Sequence, residues 1–244
     1  MDINRLITIG ICTYKRDFIK QTLESVFRSD FNSNAPIKII IVDNDSERSA
    51  KKIIDEINTP KPFEIEYICE PLNGVTNARN RVLKEVNTEW LLFIDDDEIV
   101  DEYWLQSYIT LIEDPTIFLD AAVGQVNTTY PNFVEEVVKY SKVHDRKSFK
   151  HLSDISHGAT NNCLRFDILF NQSGGEDSDF FERIIANGGK VIWNAKGIVT
   201  EPLVKERSSQ KWIIERYYSN GKTYGKRKVL RLGKSYLPYL ACST

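Results

Sequence analysis

Trp90-Leu91-Leu92-Phe93-Ile94-Asp95-Asp96-Asp97 sets five apolar residues directly before three acids. The apolar run is short enough to be a strand buried on both faces, and the acids mark the point where it leaves the core. Three adjacent carboxylates repel one another, so holding them together costs free energy unless water or a cation compensates. Hard oxygen ligands of this kind suit Mg²⁺ or Mn²⁺. The competing reading is an acidic turn that caps the next helix. If the chain stays extended, alternation puts Asp95 and Asp97 on one side and Asp96 on the other.

The same pattern recurs upstream. Ile37 to Val42 is almost entirely β-branched and ends in Asp43-Asn44-Asp45, while Leu6 to Cys12 ends in Thr13-Tyr14-Lys15-Arg16. A third strand is expected over Phe63 to Cys69. Between these runs lie helical periodicities: one after Asp17, which can cap it, one opening at Ser46 or Ser49, and one from about Thr76 to Glu85. Repeated strand–helix alternation implies right-handed crossovers and a mainly parallel central sheet flanked by helices. Ligands of such sheets bind beyond the carboxyl ends of the strands, where all three polar endings would meet.

The second half is less regular. Leu119 to Val126 and Gly158 to Phe166 read as strands, and Asn127 to His157 as a loop with at most a short helix. Glu176 to Ala186 reads as a helix, and Lys190 to Trp193 and Ile198 to Thr200 as two short strands. Ser208 to Tyr218 reads as an amphipathic helix. One domain is expected at 244 residues, divided into a nucleotide-sugar half (1–117), an acceptor and catalytic half (118–206) and a basic helical tail (207–244). Paired glycines before Glu176-Asp177 let backbone approach a ligand, and the helix start favours ionised acids there. Simple capping is the alternative.

The blocks Ile9 to Arg16, Ile40 to Ser46, Asn73-Gly74, Ala78-Arg79-Asn80, Leu92 to Asp97 and Gly175-Glu176-Asp177 stand in the order found in family 2 glycosyltransferases of the GT-A fold, which this chain resembles over residues 6 to 225. The resemblance implies an α/β fold of the nucleotide-diphospho-sugar transferase type and inverting transfer from a nucleotide-sugar, UDP-linked, to a glycan or glycolipid acceptor of a bacterial surface polysaccharide. It implies that Thr13, Tyr14 and Arg16 contact base and ribose, and that Asp43 reads the base with Asp45 nearby. Asn73, Gly74, Arg79 and Asn80 would border the donor. Asp95 and Asp96 would face the nucleotide sugar, and Asp97, with Asp95, would hold the Mn²⁺ or Mg²⁺. Asp177 would deprotonate the acceptor and Glu176 hold its hydroxyls. One departure stands out, because relatives often carry a His where this chain has Glu201, a further candidate cation ligand that would add negative charge beside a diphosphate.

Other readings fare less well. A nucleotidylyl transferase needs a glycine-rich loop after the first strand, and Cys12 to Arg16 has no glycine. A calcium loop starting at Asp43 fails at Arg48, where the turn needs glycine. A silent sugar-nucleotide or glycan-binding module is the alternative of another class. The dispersed cysteines, Cys12, Cys69, Cys163 and Cys242, form no metal or redox pair and fit a reducing, cytoplasmic setting. Lys205 to Lys234 holds ten Lys or Arg against Glu206 and Glu215. Such a tail is either a solvated helix face or a contact for anionic lipid at the inner face of the cytoplasmic membrane. No nucleic acid partner is expected.

Overall fold

The computed structural model describes residues 7–32, 37–166 and 177–232. Its first half follows the alternation in the sequence: β1 (Ile7–Thr13), α1 (Ile19–Phe27), β2 (Ile37–Asp43), α2 (Lys51–Glu56), β3 (Phe63–Cys69), α3 (Val75–Glu85) and β4 (Trp90–Asp95). There follow β5 (Ile99–Val100), α4 (Trp104–Glu113), β6 (Ala121–Thr129), α5 (Glu136–Ser141), β7 (Cys163–Phe166), α6 (Asp177–Ala186), β8 (Val191–Pro202), a 3₁₀ turn (Lys205–Arg207) and α7 (Gln210–Leu232). The described strands form one sheet in the order β3-β2-β1-β4-β7-β6-β8-β5. β3, β2, β1 and β4 run parallel, whereas β4–β7, β6–β7 and β5–β8 pair antiparallel.

Alternation along the parallel strands builds two apolar layers. Ile7, Ile9, Ile11, Ile39, Ile41, Leu92 and Ile94 face α1 and α4, while Ile40, Val42, Leu91 and Phe93 face α3 through Ala78, Val82 and Leu83. Each such side chain, fully enclosed, contributes roughly 1.5–3 kcal/mol. Gly10 lies on the α3 side, where an added Cβ would come within 2.8 Å of Val82 Cγ1. Its missing side chain lets α3 sit close on the sheet.

Three local expectations change. Asp17 does not cap α1 with its side chain; the N-cap is Phe18, and Asp17 contributes its carbonyl to the Lys20 N–H at 3.3 Å. The two short strands expected near residues 190 and 198 are a single strand, β8. Between them Asn194 is fully buried, donating to Ser107 Oγ at 2.9 Å, and Gly197 packs on the Tyr108 ring. Finally, α4 was not anticipated.

The described chain divides into two compact units, one of residues 1–128 and 146–201 and a smaller one of 129–145 and 202–244. In the smaller unit Val134 and Val138 pack with Leu203 and Ile213, and the Leu203 N–H donates to the Thr129 carbonyl at 2.9 Å.

Candidate active site

Register decides which side chains meet. Thr13 pairs with Asp43, Cys12 with Asp95 and Asp43 with Cys69, so the three polar strand endings are neighbours on one rim of the larger unit. β4 ends at Asp95, and the next two acids lie in a turn rather than an extended strand. Strand alternation therefore stops before it can turn Asp96 outward. Asp96 is buried, accepting from Thr13 Oγ1 at 2.7 Å and Arg16 Nη1 at 2.9 Å, while its carbonyl accepts from Thr22 Oγ1 at 3.0 Å. Arg16 also pairs with Asp97, which is likewise buried. Asp95 is half-exposed and faces Arg79, Nη2 to Oδ1 3.6 Å. Asp96 and Asp97 thus share one guanidinium, and Asp95 has another.

The acids and Arg16 tune one another. Burial pushes the Asp96 carboxyl up to about 6, against Arg16 and Thr13, which pull it down. Burial alone would lower Arg16, yet Asp96, Asp97, Asp95 and Glu201 together raise it. Glu201 does add negative charge here, but Arg146 Nη2 stands 3.3 Å from its Oε2 and compensates it.

Asp43 is fully enclosed, accepting from the N–H groups of Asp45 (3.1 Å) and Ala50 (2.8 Å) and from the Tyr67 hydroxyl (2.8 Å). Its carboxylate thereby braces the turn after β2. Asp45 in that turn lies 3.9 Å from Lys15 Nζ. Tyr14 is 47% exposed. Asn73 is exposed, and Gly74 opens α3 at φ +128°, a conformation that favours glycine. Asn80 lines a hollow of about 170 Å³ with Glu70, Leu72, Asn77, Arg81 and Lys84. Asp177 is the first residue of α6, its backbone alone described. Glu176 and the paired glycines lie outside the described residues.

Three residues passed over in the sequence support this rim. Asn44 donates to the Glu70 and Leu72 carbonyls at 2.9 and 2.8 Å and accepts from the Gly74 N–H at 2.7 Å, which fixes the loop carrying Asn73. Arg146 is the second. The third is Glu98, fully buried, whose Oε2 accepts from the Asp95 N–H (3.1 Å) and Oε1 from Asn161 Nδ2 (2.8 Å). β4–β7 pairing reaches only Phe93 and Cys163. Glu98 bridges the gap beyond, where Asp95 and Asn161 would otherwise have paired. For Asn44 and Glu98 the only signal was a place inside or beside an acidic run, and Arg146 had none.

Burial, then Asp95, raises the Glu98 carboxyl well above its ordinary 4.5. Stability from the neutral form is therefore full below about 4.5 and lost as pH rises through the raised value. Asp96 acts in the same sense between 3.8 and about 6. Urea unfolding of Glu98→Gln, which stays neutral, should show a smaller loss of stability from about pH 5 to 7 than the wild type. Glu98→Ala, which strands two buried donors, should cost about 3 kcal/mol.

Hard carboxylate oxygens at Asp95 and Asp97 suit Mg²⁺ or Mn²⁺ chemically. Among the described residues, no three acidic, His or Cys side chains are grouped closely enough to hold a metal alone. A Mg²⁺ site of one or two carboxylates completed by phosphate oxygens and water has that form, so the residues fit the cation as part of a substrate complex.

Comparison with known proteins agrees. The model of the family described as "Glycosyl transferase family 2" matches residues 8–171. The succinoglycan biosynthesis protein ExoM of Rhizobium meliloti (strain 1021) is 30% identical over 231 residues, 90% of this chain and 74% of that protein. A teichoic acid poly(glycerol phosphate) polymerase of Staphylococcus epidermidis is 29% identical over 137 residues, 54% of this chain but only 18% of its own length. Residues 1–349 of S. aureus TarS, solved with UDP-GlcNAc, superimpose at a TM-score of 0.59 and 13% identity, over 82% of this chain and 59% of that one. The chain spans about 60% of such solved chains, and their likeness shows the GT-A-type fold that the sequence led us to expect. With two thirds of its length matched by the family model and a relative 30% identical over 74% of that relative's length, the chain belongs to glycosyl transferase family 2.

Proposed function

We propose that this chain transfers a sugar from a nucleoside diphosphate, UDP, to a hydroxyl of a growing surface polysaccharide, with inversion at the anomeric carbon. The observation that carries the reading is the register of β1, β2 and β4, which brings Thr13, the Asp43–Asp45 turn and Asp95–Asp97 to adjacent strand ends. Relatives named for succinoglycan and teichoic acid synthesis support the product class, and a fold neighbour solved with UDP-GlcNAc supports the donor class.

In this mechanism Tyr14, Asp45, Asn73 and Gly74 border the base and ribose, and Arg79 takes the donor together with Asp95 and Asp96. Asp43 and Asn44 hold the loops in place. Asp97, with Asp95, would hold Mg²⁺ or Mn²⁺, which would supply positive charge against the leaving diphosphate. Glu201, already paired with Arg146, is a weaker candidate ligand. Glu176 orients the acceptor, and Asp177 takes the hydroxyl proton as its oxygen bonds to the anomeric carbon. The carbon–oxygen bond to the diphosphate breaks, and its electron pair leaves with the nucleotide. We place the reaction in the cytoplasm. The described cysteines Cys12, Cys69 and Cys163 are free thiols, which fits a reducing compartment.

A thermal-shift panel of nucleotide sugars, each with and without Mn²⁺, tests the donor. One UDP-sugar should raise Tm strongly only when Mn²⁺ is present, by the mass-action stabilisation of a ligand that binds the folded state. A panel in which no nucleotide sugar shifts Tm, with or without the ion, contradicts the proposal.

A further inference from the structure

No residue assigned a role above lies in the chain's basic segment, 205–234. Lys205 to Lys234 carries a surplus of eight positive charges in a chain of net −3, leaving −11 elsewhere. Most of that segment is α7. Within the smaller unit α7 has one occupied side, where Ile213 packs with Val134, Val138 and Leu203 and Trp212 stacks on the His144 ring with centroids 4.9 Å apart. Ile214, Tyr217 and Tyr218 are 64%, 59% and 66% exposed, and their spacing of three and four puts them on one face. Lys222 Nζ lies 4.6 Å from the centre of the Tyr218 ring, and Lys211, three residues before Ile214, is also exposed. Val137 and Tyr140 of α5, with Phe133 just before it, are exposed in the same unit.

Large apolar side chains grouped on a helix among cations differ from single exposed residues, which are ordinary. Tyrosine suits a boundary between apolar and wet surroundings, because its ring can be buried while its hydroxyl stays hydrated. Lysine stems can lie along the apolar layer with the ammonium among headgroups. A second copy of the chain is a poor occupant, since two such positive faces repel. Among the described residues no helix is long and apolar enough to cross a membrane, so the helix would lie on the surface. We infer that the Ile214–Tyr217–Tyr218 face of α7 is a docking surface for an anionic phospholipid bilayer. Positive charge draws the helix in, and the aromatic rings hold it at the headgroup layer.

Co-sedimentation of the full chain with vesicles tests this. Binding is expected to phosphatidylcholine vesicles containing phosphatidylglycerol, to fall steeply with added salt, and to be absent with phosphatidylcholine alone. Lys211→Gln with Lys222→Gln should lower partitioning about thirtyfold, and Tyr217→Ser with Tyr218→Ser at least about tenfold. Both double variants should keep the wild-type circular dichroism spectrum and the same Tm shift with nucleotide and Mn²⁺, which separates this surface from donor binding. Equal binding to both vesicle types, binding to neither, or partitioning unchanged in both variants overturns the inference. So does a concentration-dependent dimer that the tyrosine variant dissociates, which would make the face a self-association surface.

Discussion

Asp97→Asn should cut glycosyl transfer by about a thousandfold and leave a residual rate that no longer responds to Mn²⁺. The carboxylate is buried beside Arg16 in the turn after β4. Removing its charge takes away the carboxylate proposed to hold the cation and leaves Arg16 with Asp96 as its close partner there. Loss of cation-borne charge stabilisation is worth several kcal/mol, and about 4 kcal/mol corresponds to three orders of magnitude. Asn matches Asp in shape and keeps one acceptor oxygen, so the fold should survive. Nucleotide release measured across a Mn²⁺ titration checks the result. A variant that reaches the wild-type rate with the wild-type Mn²⁺ requirement would mean that Asp97 is not a ligand.

The second large effect belongs to Asp177→Asn. Proton transfer by a positioned base contributes about 10²–10⁴-fold, and the amide at the start of α6 cannot accept the acceptor's proton. Transfer should therefore fall by about that factor, while donor affinity, proposed above to rest on residues outside α6, stays within about twofold. Isothermal titration with nucleotide and Mn²⁺, alongside initial rates, separates the two quantities. Equal losses in affinity and rate would make Asp177 a binding residue, and an unchanged rate would remove it from the chemistry.

How far the sequence led is clearest at particular residues. β1 to β4 are legible because each is a run of apolar, often β-branched residues that stops at an acid or polar cluster, and burial on both sheet faces demands such runs. α4 was hidden for the opposite reason. Trp104, Leu105, Ser107, Tyr108, Ile109 and Leu111 are all buried, which leaves only the narrow stripe of Gln106, Thr110 and Glu113 as the polar face by which periodicity reveals a helix. β8 looked broken because Asn194-Ala195-Lys196-Gly197 reads as a turn, yet the Asn194 side chain is satisfied inside by Ser107, 87 residues away. The rim's acids were visible, but which of them face inward was not. That choice rests on β4 ending at Asp95 and on Arg16, Thr13 and Thr22 reaching across from β1, the segment after it and α1. Asn44 and Glu98 escaped notice because their partners lie 26 to 63 residues away for most of their bonds.

The most direct test of the whole account is a crystal structure of the chain soaked with UDP and Mn²⁺, with the anomalous signal of manganese located. The manganese signal should lie at the Asp97 carboxylate beside the diphosphate, with the uridine lying over the turns after β1 and β2. Nucleotide density elsewhere on the molecule, or diphosphate at this rim with manganese bound away from Asp97, would contradict the account.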